Sequence, residues 1–390
     1  MRALVFVAGR ADLGPLIPVI DRLCGTPGCD VVVATAVAME PAALRDHLSA
    51  AGLTEMPQMI GVGPVVDGTD PASLAAAGAA VSVGMAGVLR PDGDVLVVLG
   101  DRWELPWVVM PAVLAGIPVV HLHGGEVTEG AIDERVRHAV TKLADQHCVA
   151  SEDAAARLRQ LGEESARIHV TGAPGLDRYS GQPPATTAEI EQLLGAPLRR
   201  PLALFTYHPV TTASPAASAQ QAAEALRATA AGVGSVIVTH PGPDQGREEI
   251  LAALTSEAAA HPTVTIVPSL GVLYPAFVAA CDLVAGNSSS GIIEAAAFEV
   301  PAVDIGIRQR GRLRGRNVLH ADEGFSSVND AVLRAVDPAF RGTLRGMTNP
   351  YGDGSASERI AQVVVSSAGT PTPKRFEDRR LPEGNTVPCR

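Results

Sequence analysis

Cys281-Asp282-Leu283-Val284-Ala285-Gly286-Asn287-Ser288-Ser289-Ser290-Gly291 is the stretch on which the fold turns. Its first five residues form the short, largely apolar run that a covered parallel strand needs, and the run stops at a glycine. The residues after it, through Glu294, read as the opening of a helix, so the whole is one strand-to-helix junction of a parallel α/β sheet. Glycines there permit close backbone approach, while hydroxyls and the unpaired amides of a helix N-terminus suit a phosphate or pyrophosphate. A bare polar N-cap explains a lone Asn-Ser pair, but three serines bracketed by glycines favour the anion. The stretch matches neither Gly-x-Gly-x-x-Gly nor a Walker loop, so dinucleotide redox chemistry and ATP hydrolysis lose their usual support.

The same rhythm extends outward. In the second half, strands are expected at Leu202–Tyr207, Ser235–His240, Thr263–Val267, Asp282–Ala285 and Ala302–Ile305, with helices near 216–231, 245–259, 272–280 and 291–299. In the first half, Arg2–Val7, Asp30–Thr35, Asp94–Leu99, Pro118–His121, Gln146–Val149 and Arg167–Thr171 read as strands. Helical stretches at 12–23, 41–51, 71–89, 104–115 and 132–145 separate them. Tyr179–Pro201, rich in Gly, Pro and Thr, breaks the pattern and marks a boundary. The expectation is two doubly wound domains, 1–180 and 200–355, then a final helix within 356–369 and a flexible tail over 370–390. In such sheets ligands bind beyond the C-terminal strand ends, which places a ligand in the cleft between domains.

With 390 residues, 46% hydrophobic and 19% charged, the chain is long for one α/β domain. No stretch approaches the roughly 20 uncharged apolar residues of a bilayer span, and the N-terminus reads as a strand rather than a leader, so no membrane association is expected. A net charge of −11 would repel a nucleic-acid backbone. Five scattered cysteines do not make a disulfide framework, and Cys24 and Cys29 lack the partners of a zinc site, which fits a reducing cytoplasm. Only Lys142 and Lys374 are lysines among 31 basic residues, a bias attributable to GC-rich coding.

Several further groups carry chemistry. Gly306 to Arg312 places Arg308, Arg310 and Arg312 just beyond a strand, where guanidinium forks suit diphosphate oxygens. Arg308, nearest the strand end, is the strongest of them. Glu294 suits helix capping or a ribose diol. Gly100-Asp101-Arg102 follows a first-half strand, and a carboxylate there can act as a base, with an Asp101–Arg102 loop contact as the plain alternative. His121-Leu122-His123-Gly124-Gly125-Glu126 and the run Asp133 to Lys142 come next. Helix-stabilising pairs Glu134–His138 and Asp133–Arg137 explain part of that density but not the glycines. The His-x-His spacing sits at a strand-to-loop transition where the rings diverge, so no metal is expected.

Together with Ala8-Gly9-Arg10-Ala11-Asp12 and Tyr207-His208-Pro209, these motifs resemble, in order over residues 1–365, the hydrolysing UDP-N-acetylglucosamine 2-epimerases. That family makes N-acetylmannosamine for sialic-acid pathways, and close relatives act on nucleotide-linked diacetamido sugars. The resemblance implies a GT-B fold of two Rossmann-like domains, with a final helix near 357–365 packing back on the first, and no cofactor. It also implies a nucleotide-sugar substrate and a homodimer or homotetramer. The implied chemistry is anti elimination of the nucleoside diphosphate across C1 and C2, then addition of water with inversion at C2.

By the same resemblance, Asp101 and Asp133 match acid–base positions, with Glu126 and Glu134 beside them, and His208 matches a histidine near the diphosphate. Arg10, Ser288, Ser289 and Arg308 match diphosphate contacts and Glu294 the ribose contact, with Arg102, Asn287, Ser290 and Arg312 completing the binding set. Animal members of the family and the non-hydrolysing epimerases carry a glutamate where His123 stands, whereas bacterial hydrolysing members commonly share the His-x-His-Gly-Gly-Glu form, which favours the hydrolysing subgroup and leaves His123, Glu126 or Asp133 for the C2 proton. A non-hydrolysing epimerase and a GT-B glycosyltransferase are the alternatives. A transferase does not need the dense first-domain cluster from Asp101 to Glu134, and a catalytically dead sensor would not keep the carboxylates.

Overall fold

A computed structural model describes residues 1–66, 70–127, 132–179, 181–210, 214–242, 246–369 and 373–378. They form two compact units. The first contains β1 (Arg2–Val7), α1 (Arg10–Cys24), β2 (Asp30–Val37), α2 (Pro41–Ala50), β3 (Gln58–Val65), α3 (Pro71–Val88) and β4 (Asp94–Leu99). It continues with α4 (Leu105–Leu114), β5 (Val119–Leu122), α5 (Ile132–Leu143), β6 (Gln146–Val149), α6 (Glu152–Gln160) and β7 (Ile168–Val170). The second, Gly175–Gly354, holds α7 (Thr187–Leu194), β8 (Leu202–Thr206), α8 (Pro215–Gly232), β9 (Ser235–Thr239), α9 (Arg247–Ala260) and β10 (Val264–Val267). There follow α10 (Tyr274–Ala280), β11 (Leu283–Gly286), α11 (Ser289–Ile293), β12 (Ala302–Ile305), β13 (Val318–Ala321), α12 (Phe325–Val336) and α13 (Pro338–Thr343). The last helix, α14 (Ala356–Ser366), returns to the first unit.

Both sheets are wholly parallel, ordered β3-β2-β1-β4-β5-β6-β7 and β10-β9-β8-β11-β12-β13. All six residues of β1, Arg-Ala-Leu-Val-Phe-Val, are buried, because helices cover both faces of the sheet. Its register against β4 pairs Arg2 with Asp94, and that buried arginine is held by the aspartate through Nε–Oδ1 at 2.8 Å and Nη2–Oδ2 at 2.6 Å. Slipping the strand by one residue would strand two buried charges. α14 packs on α1, burying Ile360, Ala361 and Val364 in the core that includes Leu16, Val19 and Leu23.

Strand order reverses between β1 and β4 in the first sheet and between β8 and β11 in the second. Those switch points leave room beyond the carboxyl ends of the strands. The turns at Gly9–Arg10, Gly100–Asp101, His208 and Asn287–Ser288 therefore lie where ligands of open α/β sheets bind.

The structure corrects several expectations. β3 and β13 were not anticipated because both are edge strands, half exposed and interrupted by Gly61, Gly63 and Pro64 or by His320, so neither shows a continuous apolar run. Within Tyr179–Pro201 the chain builds α7, with a Thr186–Glu189 capping box, Gly195 in the left-handed conformation at its end, and Ile190 fully buried. The expected loose tail over 370–390 is instead packed on the first unit at residues 373–378, through Lys374, Phe376 and Glu377; residues 379–390 lie outside the described residues. α3 is 18 residues long and uncharged, long and apolar enough to cross a membrane by length and composition, contrary to the expectation that no such stretch exists. Its hydropathy comes from alanine and valine, and Gly78, Val81 and Met85 bury one face as it connects β3 to β4.

Two glycines of α3 make a matched test. A Cβ on Gly84 would fall well inside contact distance of the Val62 carbonyl on β3, whereas one on Gly87 meets open space. Gly84→Ala should cost about 1–3 kcal/mol through overpacking. Gly87→Ala should gain about 0.5 kcal/mol through helix propensity. Urea unfolding of the two variants checks the opposite signs; equal shifts would mean that α3 does not press on β3 as described.

Candidate active site

In the first unit, β1 delivers Ala8 and Gly9 to a sharp turn closed by Asp12, whose Oδ2 accepts the amides of Ala8 (2.9 Å) and Gly9 (3.1 Å). Burial pushes the Asp12 carboxyl up to about 6, against the lowering effect of Arg102 and the two amides. Arg10, at the start of α1, is exposed. Arg102 does not contact Asp101 as one reading of the sequence had it. Its Nε donates to Glu104 at 2.7 Å, and its charge is further supported by Asp12 and Asp133.

Asp101 is instead paired with Arg137 of α5. Arg137 is almost fully buried, and its Nη1 also donates to Glu134 Oε2 (3.0 Å) and to the Glu126 carbonyl (2.9 Å). Helical spacing suggests an Asp133–Arg137 pair; the fold brings the guanidinium to Asp101 at the end of β4. The Glu134–His138 pair does form, at 3.2 Å.

The two histidines after β5 have different tasks. His121 is wholly buried and held neutral, pushed down to about 3 by burial. Its Nε2 donates to the Gly100 carbonyl at 2.8 Å, which leaves Nδ1 to accept from the Thr141 hydroxyl at 3.2 Å. His123 adopts φ +61°, an uncommon conformation for a non-glycine residue. Its Nδ1 meets Glu126 Oε1 at 2.5 Å, and its buried Nε2 has no hydrogen-bond partner among the described residues. A carboxylate on Nδ1 orients the ring and leaves Nε2 as the acceptor, the arrangement of an oriented general base.

In the second unit, Asn287 binds the His208 backbone in both directions: its Oδ1 accepts the amide (2.6 Å) and its Nδ2 donates to the carbonyl (2.8 Å). The turns after β8 and β11 are thereby locked together. His208 Nδ1 accepts the Gly242 amide at 3.0 Å, so the neutral ring presents Nε2–H. Burial, aided by the Arg308 charge, pushes His208 down to about 3. Arg308 and Gln309 donate to the Asn287 carbonyl at 3.1 and 2.9 Å, securing the same turn.

Ser288 caps α11, which is only five residues long and passes into a 3-10 turn at Ala295–Phe298 rather than forming the expected helix over 291–299. Anion binding there draws on local amides and hydroxyls more than on a helix dipole. Ser289 stays half exposed at its start, while Ser290 is buried and shares a hydrogen bond with the Tyr274 hydroxyl. Asn287 and Ser290, expected among the substrate contacts, are thus taken up in supporting the turn. Burial raises the Glu294 carboxyl above its ordinary value, countered by Ser290 and Arg312, and its Oε2 has no hydrogen-bond partner among the described residues. Arg310 is exposed. Sequence reasoning did not anticipate Arg137 as the partner of Asp101, Thr141 behind His121, or Tyr274; for Arg137 the only signal was an arginine on an acidic helix.

Two parallel α/β units of this kind make up a GT-B-like fold. The chain belongs to the UDP-N-acetylglucosamine 2-epimerase family, whose model matches residues 67–365. A Legionella pneumophila protein named UDP-N,N'-diacetylbacillosamine 2-epimerase (hydrolyzing) is 33% identical over 370 residues, covering 93% of this chain and 96% of its own. A Neisseria meningitidis UDP-N-acetylglucosamine 2-epimerase is 31% identical, covering 74% of this chain and 76% of its own. Among solved structures, the N. meningitidis UDP-GlcNAc 2-epimerase bound to UDP-GlcNAc aligns with TM-score 0.70 at 17% identity, over 94% of this chain and 100% of that one. The Rickettsia bellii UDP-N-acetylglucosamine 2-epimerase aligns with TM-score 0.73 at 15% identity, over 94% of this chain and 96% of that one. At those identities the likeness concerns the fold.

The state of His208 is open to direct measurement. With its folded pKa near 3 and its unfolded value near 6.5, the stability it contributes is complete above pH 6.5 and drains away as pH falls toward 3. Ring NMR should show an Nε2–H tautomer with no inflection between pH 5 and 8. An inflection near 6.5 would place a charged imidazole there instead.

Proposed function

We propose that this protein is a hydrolysing 2-epimerase, releasing a free, C2-inverted 2-acetamido sugar and a nucleoside diphosphate from UDP-N-acetylglucosamine or a related UDP- or GDP-linked sugar. The observation that carries the reading is His123, with Nδ1 on Glu126 and a buried Nε2 that has no hydrogen-bond partner among the described residues. In the elimination, His123 Nε2 takes the C2 proton, the electron pair forms the C1–C2 double bond, and the C1–oxygen bond breaks with departure of the diphosphate. Water then adds, hydroxyl to C1 and proton to C2 on the opposite face. The C2 proton has no adjacent carbonyl to acidify it, so the base must be placed well and the leaving group stabilised strongly.

Asp101, Asp133 and Glu134 supply the remaining carboxylates for the protonation and for activating water, with Asp101 and Glu134 held by Arg137. In the second unit Arg308, Ser288, Ser289 and the Nε2–H of His208 meet the diphosphate and Glu294 meets the ribose, with Arg312 in the wider binding set; Arg10 of the first unit is a further diphosphate contact. In the ligand-free protein His208 is a neutral hydrogen-bond donor at Nε2, pushed down to about 3 by burial. The similarity to the Legionella hydrolyzing 2-epimerase supports the hydrolysing outcome, as does that to a Campylobacter jejuni GDP/UDP-N,N'-diacetylbacillosamine 2-epimerase (hydrolyzing) at 33% identity over 255 residues.

Turnover in D₂O separates the possibilities, because only elimination breaks the C2–hydrogen bond. The expected product is free sugar, inverted and deuterated at C2, formed without an acceptor or NAD. A product retaining protium and configuration would sink the epimerase reading, and a nucleotide-linked product would move the chain to the non-hydrolysing kind. His123→Ala and Asp101→Asn should each lower kcat by about 10²–10⁴ with folding intact by circular dichroism; wild-type turnover in either would make that residue structural.

A further inference from the structure

The chain's two lysines meet at one place. Among 31 basic residues only Lys142 and Lys374 are lysines. Their ammonium groups take the two oxygens of Glu163, Lys142 at 2.6 Å from Oε1 and Lys374 at 2.7 Å from Oε2. Glu163 is fully buried and also accepts from His147 Nε2 at 2.8 Å. Burial alone would raise its carboxyl, but the three donors hold it down to about 2.

Lys374 Nζ reaches further, to the carbonyls of Thr141 (3.0 Å), Lys142 (2.9 Å) and Ala144 (2.7 Å) at the C-terminal end of α5. Those carbonyls have no partner within the helix, and a cation there also favours the helix dipole. A compact ammonium can direct its protons to several acceptors around one point, which the planar fork of an arginine cannot. The residues around it are anchored as well. The Glu377 amide donates to the Gly162 carbonyl at 3.0 Å, its carboxylate accepts the Ser165 amide at 2.9 Å, and the Phe376 ring lies 4.9 Å from Lys142 Nζ.

The other end of α5 carries Asp133, Glu134 and Arg137. The helix is tied to the Gly100–Asp101 turn at two levels: Arg137 holds Asp101, and Thr141 reaches Gly100 through His121. Lys374 grips the second level directly through the Thr141 carbonyl. We propose that Lys374 is a positioning residue whose ammonium fixes the C-terminal end of α5, so that the acid–base groups along that helix keep their register against the Gly100–Asp101 turn. What those groups do rests on the function proposed above; the tethering does not.

Lys374→Met keeps the apolar stem and removes the grip, and Phe376→Ala loosens the same segment without unburying a charge. In the full-length chain, amide exchange in residues 138–144 should quicken at least tenfold in Lys374→Met and less in Phe376→Ala, and the His121 ring shifts should move. Displacing a catalytic group by a fraction of an ångström costs up to about 10²-fold in rate, so kcat should fall about 10- to 100-fold with KM within twofold. Unchanged exchange and ring shifts overturn the proposal, and so does quickened exchange with kcat unaltered. A wild-type protein inert toward every nucleotide sugar would overturn the functional reading alone, and exchange and ring shifts would then decide the tether by themselves.

Discussion

The buried guanidinium of Arg137 is the constraint around which the first unit's site is organised. A cation with almost no exposed surface is tolerated only when its donors are matched, because an uncompensated buried charge costs several kcal/mol. Its partners include Asp101 at the end of β4, the Glu126 carbonyl in the turn after β5, and Glu134 one turn back on α5. Satisfying one charge therefore closes two loops onto a helix. The carboxylates of Asp101 and Glu134 are placed as a by-product of that requirement.

The second unit holds its turns mainly through amides and backbone groups, with Arg308 beside them. Asn287 stitches the His208 backbone to the turn after β11, and the Gly242 amide leaves His208 one tautomer to adopt. His121 is treated the same way in the first unit, between a backbone carbonyl and a threonine hydroxyl. Backbone groups cannot titrate, so a histidine oriented by them keeps its donor and acceptor sides across the physiological range. His123 stands apart, since its orienting group is the carboxylate of Glu126 and its far nitrogen has no partner among the described residues.

Much of this was legible before any coordinates. β1, β4, β6 and β12 fall where their apolar runs placed them, because strands covered on both faces advertise themselves as continuous hydrophobic segments. The edge strands β3 and β13 did not, since half their residues face water and glycine, proline or histidine is tolerated there. α7 hid in a stretch whose proline and glycine content suggested only a linker; its capping box, Thr186 with Glu189, was the readable sign.

The sequence by itself determined the layer architecture, the order of the motifs and the types of chemical group that follow each strand, because periodicity and local turn chemistry are properties of neighbouring residues. Only the tertiary structure decided which of those groups act on one another. Arg102 and Arg137 are equally plausible partners for Asp101 by type, and the nearer one turned to Glu104 while the one 36 positions away took the carboxylate. Lys374 likewise caps carbonyls some 230 positions upstream. Such choices are made by where the packed strands and helices leave a buried charge to be matched, and distance along the chain carries no information about that.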